Sequence, residues 1–382
     1  MTQERESPLA GLRVVEFTHM VMGPAVGVIL ADLGADVVKV EPPGGDATRR
    51  LLGSGAGYFP MFNRNKRSVC LDLKDAEDKA RAIALIRAAD IVIENFGPGV
   101  MARLGLGYET LSAEQPELIY CSAKGFLKGP YETRTALDEV AQMMGGLAYM
   151  TGPPGRPLRA GASVIDISGG MFGVIGVLAA LEERRRTGQG QQVTCSLYET
   201  TAFMVGQHMA QKVVTGTAAP PMPARVSAWA IYDVFETRDD LQVFVGVVSD
   251  GQWRTFCEGF DLPELGDDPR FVLNNERVKA RDELLPIVRA ALKRYSKAEI
   301  LAKLEDMRLP FAPIARPEDL FDDPHLLAEG GLVSVGLPGG SRANLPSLPI
   351  DMGGRRMGVR RDVPEIDADA DAVEAEMADR GA

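Results

Sequence analysis

Short apolar runs alternate along the first third of the chain with longer stretches of helical period. Leu12–Phe17 (LRVVEF) is a β-branched run, Pro24–Leu33 has the spacing of an apolar helix ended by Gly34, and Asp36–Glu41 (DVVKVE) reads as the next strand. Strand, helix, strand in this order is the βαβ unit of a parallel sheet. The alternation continues with a strand at Val69–Leu73, a helix at Ala76–Ala88, a strand at Asp90–Glu94, a short helix at Val100–Leu104 and a strand at Leu118–Ser122. An α/β fold built on a Rossmann-like open parallel sheet accounts for the order.

Asp138–Met150 reads as helical and is followed by a Gly/Pro turn, TGPPGR, at 151–156. Gly169–Arg185 is apolar on nearly every face as far as Glu182, which predicts a buried helix. Gly188 and Gly190 end it, QVTCSL returns as a strand, and Tyr198–Thr215 reads as another helix. The proline-rich AAPPMP at 218–223 marks a crossing between domains. Beyond it, Ala230–Phe235 and Gln242–Val248 form an antiparallel pair turned at Arg238–Asp240, and helical segments run on to Met307. FAPIA at 311–315, a glycine-rich stretch near 330–340 and an acidic tail from Asp362 close the chain. The organisation expected is a large Rossmann-like domain whose first part is 1–215, a smaller α+β domain over 225–325, and a return segment, 326–382, that completes the large domain.

Composition narrows the function. With 53 acidic against 42 basic residues and a net charge of −11, the chain lacks the basic face that nucleic-acid binding requires. Apolar residues at 45% and charged residues at 25% exclude global disorder. The polar start MTQERESPLAG has no signal-peptide pattern, and the longest apolar run, Met171–Leu181, is too short for a membrane span. Cys70, Cys121, Cys195 and Cys257 are scattered with no CxxC pair, and the three histidines, His19, His208 and His325, leave little for a metal site. A soluble cytoplasmic protein without metal, membrane or nucleic-acid partners is the expectation.

Nucleotide and hydrolase signatures are absent: there is no GxGxxG after the first strand, no GxxxxGK[ST], no GxSxG and no HExxH. One acid stands out. Asp166 is the only charge in GASVIDISGGMFGVIGVLAAL, 161–181. Its ordinary reading is the N-cap of the following helix; the sharper one is a poorly solvated nucleophile able to attack a carbonyl. In the second reading the Ser168-Gly169-Gly170 step offers backbone N–H groups to an oxyanion, and a helix N-terminus keeps the carboxylate ionised. Asp138, in RTALDEVAQMMGG (134–146), is a second acid of capping type, and His19 follows the first strand, where it reads as structural.

Several strings in order resemble the class III CoA-transferase (CaiB/BaiF) family. They are PLAGLRVVEFTHMVMGPAVGVILADLGADVVKVEPPGGDATR (8–49), FNRNKRSVCLDLK (62–74), ENFGPGVMARLGL (94–106), the 161–181 segment, TGQGQQVTCSLYE (187–199) and FETRDDLQVFVGVVSDGQWRTFC (235–257). The resemblance implies an interlocked homodimer and an enzyme that moves CoA from a short acyl-CoA to a carboxylic acid, with a small dicarboxylate as the acceptor expected. It implies that Asp166 is the catalytic carboxylate, passing through an anhydride and an aspartyl-CoA thioester, with Asp138 in support. Met20, Leu71, Lys74, Asn95, Phe96, Arg103 and Leu104 fall on positions that bind coenzyme A, and Tyr58 on one near the acyl group. Arg49, beside Arg50, is expected at the pocket mouth as a substrate contact. Residues 216–230, GTAAPPMPARVSAWA, lack the glycine-rich loop of the formyl-CoA branch. Two other readings stay open: a 2-methylacyl-CoA racemase, disfavoured because Leu137 stands where that branch has histidine, and a non-catalytic CoA-binding protein.

Overall fold

The β-branched runs pair in parallel as one six-stranded sheet in which the first strand lies between the second and the fourth, the third strand forms one edge and the sixth the other. The computed structural model describes residues 6–225 and 227–379. In chain order the first elements are β1 (Arg13–Phe17), α1 (Met22–Asp32), β2 (Asp36–Glu41), α2 (Tyr58–Phe62), β3 (Lys66–Cys70), α3 (Ala76–Arg87) and β4 (Ile91–Glu94). Then come α4 (Val100–Arg103), α5 (Tyr108–Glu114), β5 (Ile119–Lys124), α6 (Asp138–Met144), α7 (Leu147–Thr151), α8 (Val164–Thr187), β6 (Gln192–Ser196) and α9 (Leu197–Thr215). This is the doubly wound α/β arrangement, whose ligands bind beyond the carboxyl ends of the strands where the order reverses. Here the reversal lies between β1 and β4.

Alternation along the strands feeds two cores. Val14, Val37, Ile91 and Ile119 face α1 and α8, while Val15, Val38, Val92 and Tyr120 face the side covered by Leu85 and Ile86 of α3. α1 and α8 approach closely: a Cβ on Gly170 would lie 2.8 Å from Ala25 Cβ and 3.0 Å from the Met22 carbonyl oxygen. α8 is longer than its expected span of Gly169–Arg185. By length and composition it could cross a membrane, and half of that stretch is buried inside the protein. Its outward side chains Met171 and Ile175 are exposed, as are Phe203, Met209, Val213 and Val214 of α9.

Residues up to Pro223 and from Asp323 onward form one compact unit, and Ala224–Asp322 forms another. The second unit has an antiparallel sheet of β7 (Ile231–Glu236), β8 (Gln242–Val247) and β9 (Phe311–Pro313). Its helices are α10 (Asp250–Gly259), α11 (Pro263–Gly266), α12 (Asn274–Lys279), α13 (Arg281–Leu292) and α14 (Lys297–Asp306). Trp253, Phe256, Leu284, Val288, Ile300 and Leu304 pack that sheet. After Asp323 come α15 (Pro324–Leu327), the hairpin of β10 (Leu332–Gly336) and β11 (Arg342–Pro346), and α16 (Ala370–Asp379). The acidic tail is a built segment. Asp367 and Asp369 accept hydrogen bonds from the backbone of Cys70 and Ser68 at 2.7 and 2.9 Å, covering the free edge of β3.

β3 starts at Lys66, three residues before the expected Val69, because its polar residues are buried with partners. Lys66 Nζ donates to both oxygens of Glu16, at 2.8 and 3.0 Å. Lys39, also fully buried, lies 3.2 Å from Asp46 and donates to the Thr18 carbonyl at 2.6 Å. Burial pushes the Lys66 ammonium down to about 8, opposed by the Glu16 carboxylate. α1 leaves room for this cluster only at Gly27, where a Cβ would collide with a Glu16 carboxylate oxygen and lie 2.9 Å from Lys66 Nζ. Gly27→Ala is therefore expected to lower stability by about 3 kcal/mol or more, the scale of a broken buried ion pair. An unchanged urea midpoint would refute it.

Candidate active site

The site grows from the switch point. β1 ends at Phe17 and β4 at Glu94, so His19 and Asn95 leave adjacent strands side by side. They clamp one another: the His19 backbone N–H donates to Asn95 Oδ1 at 3.0 Å, and Asn95 Nδ2 donates to the His19 carbonyl at 2.8 Å. Next to His19, Met20 takes a left-handed backbone conformation (φ 62°), and its N–H donates to Thr48 Oγ1 at 3.0 Å. Two hollows meet at His19. One, of about 260 Å³, holds Met20, Tyr58, Asp138, Arg159 and Asp166, with Asn95 at its wall. The other, of about 390 Å³, is lined by Val40, Leu71, Lys74, Phe96, Val100 and Leu104.

Asp138 organises the first hollow. Its Oδ2 accepts the backbone N–H groups of Ile165 and Asp166 at 2.9 and 3.1 Å, and its Oδ1 accepts Gln142 Nε2 at 2.6 Å and Arg159 Nη2 at 3.1 Å. Asp138 thus caps α8, a different helix from its own. Asp166 is the third residue of α8 and is not its N-cap, which is Ser163. The glycine step cannot serve as an oxyanion donor. Ser168, Gly169 and Gly170 lie inside α8, where N–H groups bond to the preceding turn, and the glycines face α1. Asp166 itself accepts no hydrogen bond among the described residues. Burial and the neighbouring Asp138 charge push its carboxyl up to about 7, opposed by Arg159. Burial and the Asp138 charge thus work against the ionisation that the helix N-terminus is expected to favour. Tyr58 lies over the same space, its hydroxyl accepting from Ser163 Oγ at 3.4 Å.

Lys74 reaches the rim of the second hollow, and its ammonium has no ion pair among the described residues. Arg103 is exposed beside that hollow, donating to the Pro98 carbonyl at 3.5 Å. Arg49 does not reach the pocket mouth. Its side chain, only 8% exposed, is paired with both oxygens of Glu41 at 2.7 and 2.6 Å and stacked 3.8 Å from the centre of the Phe59 ring. Glu41 in turn is held below the ordinary carboxylate range, burial being outweighed by hydrogen bonds from Arg49, Asp46 and Ser68. Sequence reasoning missed Arg159, which sits in a glycine- and proline-rich stretch without periodicity. His19, expected after the first strand, stands where the two hollows meet.

These features define a doubly wound α/β protein with an acid-bearing pocket and an apolar pocket joined at the switch point. The chain belongs to CoA-transferase family III, whose sequence profile matches residues 9–370, and it is an enzyme of that class. It is 33% identical to a succinate–glutarate CoA-transferase of Agrobacterium fabrum over 98% of this chain and 96% of that one. It is 34% identical to an acetyl-CoA:oxalate CoA-transferase of Acetobacter aceti, again over 98% and 96%. A solved CaiB/BaiF family protein from Brucella suis superposes with a TM-score of 0.88 at 33% identity, covering 98% of this chain and 100% of that one.

The raised carboxyl of Asp166 has a sign for stability. A free aspartate titrates near 3.8, so between about 4 and 7 the folded protein holds a proton that the unfolded chain has lost. Asp166 therefore contributes a fall in stability as pH rises through that window, complete above it. Asp166→Asn is expected to remove this slope and to be at least as stable as the parent at pH 8. Parallel stability–pH curves for the two proteins would refute it.

Proposed function

We propose that Asp166 is the nucleophile that carries CoA from a short acyl-CoA to a small acid, with a dicarboxylate as acceptor. The observation that supports this most is the Asp166 carboxylate: unbonded, half-buried and facing a hollow that adjoins a second, apolar one. A poorly solvated carboxylate is a stronger nucleophile than a hydrated one. Its oxygen attacks the thioester carbonyl, the C–S bond breaks, and CoA leaves as the thiolate from an acyl-aspartyl anhydride. The thiolate then attacks the Asp166 carbonyl, releasing the donor acid and leaving an aspartyl-CoA thioester. An incoming carboxylate displaces the thiolate to give a second anhydride, and the thiolate attacks its new acyl carbonyl. Acyl-CoA leaves and the Asp166 carboxylate is restored, with no water consumed.

Asp138 supports this by fixing the turn that carries Asp166. In this reading Lys74 and Arg103 hold CoA phosphates, and Phe96, Leu71, Leu104 and Met20 give apolar contact to the nucleotide and the pantetheine arm. Asn95 acts by holding His19, and Tyr58 borders the acyl group. The acid class follows from relatives named for succinate, glutarate and oxalate transfer. A racemase needs a base on each face of the α-carbon, and Leu137 occupies one such place at the pocket wall. Acyl-CoA followed by hydroxylamine should mark the Asp166 peptide of the parent and leave Asp166→Asn unmarked. Transfer by the Asn variant at near the parent rate would refute the nucleophile.

We infer also that two chains associate, since the exposed apolar side chains of α8 and α9 form a face of the kind that subunit contacts cover. Interlocked chains separate only on unfolding, so sedimentation after dilution to nanomolar concentration should find no folded monomer. A compact monomer there would overturn it.

A further inference from the structure

Two long cations, Lys124 and Arg159, face the hollow that holds Asp166. Lys124 is engaged, donating to Glu94 at 2.7 Å and to the Phe96 carbonyl at 2.8 Å. Arg159 is not fully engaged. Its Nη2 donates to Asp138 at 3.1 Å and to the Ala162 carbonyl at 3.3 Å, but Nη1 stands 3.9 Å from Glu139, beyond a hydrogen bond. Its Nε is without a partner among the described residues. Asp138 has three other donors, two of them at a helix N-terminus, so its charge is met without Arg159. The guanidinium, flanked by Asp138 and Glu139, therefore keeps N–H donors at Nε and Nη1 that the fold does not use.

The reaction makes that surplus matter. Once an acyl group or CoA is bound to Asp166 the carboxylate charge is gone, and the hollow becomes more positive by one unit. That is the state in which a free acid must enter. We propose that Arg159 is the specificity-determining residue of this enzyme, binding the remote carboxylate of a dicarboxylic acyl group through the donors that Asp138 leaves free. The inference rests on the CoA-transfer reading above and deepens it. Guanidinium is suited to the task because its planar fork matches a carboxylate.

Arg159→Gln, compared with the parent on succinate and on butyrate as acceptors with acetyl-CoA as donor, tests this. The two acids have equal chain length and differ in the remote carboxylate. The preference kcat/KM(succinate)/kcat/KM(butyrate) is expected to fall by about 10- to 100-fold, the scale of one charge-assisted contact, over and above any fall common to both acids from the loss of Arg159 beside Asp138. An equal fall with both acids overturns the proposal, since Arg159 then acts only through Asp138 and Asp166; so does an unchanged ratio. A parent that transfers CoA to acids with no preference for succinate overturns it while leaving the transferase reading intact. A parent that transfers to no acid and forms no adduct fails that reading itself, and this one with it. If the Gln variant does not fold, phenylglyoxal labelling of the unaltered enzyme decides. Succinate, but not butyrate, should slow modification of the Arg159 peptide, and equal rates with either acid overturn the proposal.

Discussion

The carboxylate of Asp138 is the interaction on which the site depends. A helix start leaves backbone N–H groups without intrahelical partners, and α8 meets two of them with a side chain from another helix. The same carboxylate holds Gln142, whose own oxygen accepts the Ala160 N–H at 2.8 Å, so the whole approach from Arg159 to Asp166 is pinned. The anchor also sets the electrostatics. Its negative charge, close to a half-buried second carboxylate, makes ionisation of Asp166 costly.

Beneath the hollows the same economy of paired charge recurs. Glu16, Lys39, Lys66 and Asp46 are all buried. Lys39 passes this anchorage upward by holding the Thr18 carbonyl, one residue before His19. The loop that separates the two hollows is thus fixed from below by a lysine and from the side by Asn95. Buried ion pairs of this kind add little net stability but leave few alternative geometries, since breaking one strands an unpaired charge.

Much of this was legible in the chain. The strands with β-branched runs, such as Asp36–Glu41, appear where the alternation predicts them, because their faces are covered by helices on both sides. The misreadings have one physical origin: a charged residue's partner is invisible until the fold brings it near. The strand expected from Val69 omits Lys66 and Arg67 because their partners Glu16, Asp36 and Glu376 are distant in sequence. Arg49 looked free for substrate because its pairing with Glu41 is a tertiary contact. Asp166 looked like a cap because the side chain that bonds the start of α8, Asp138, lies 28 residues earlier. Family resemblance singled out Asp138 and Asp166, and the fold brings the carboxylate of the first onto the backbone N–H of the second.

The covering of β3 has a consequence for the order in which the protein is made. β3 is an edge strand, and its outward backbone groups are met by Asp367 and Asp369 together with the Asn65 N–H bond to the Arg361 carbonyl. These partners leave the ribosome after the whole of Ala224–Asp322. A nascent chain that already contains all six parallel strands therefore carries a bare sheet edge, the kind that pairs with strangers. The inserted unit, with its own sheet and core, emerges within that interval, and the edge of the first unit is covered only by a segment that follows it.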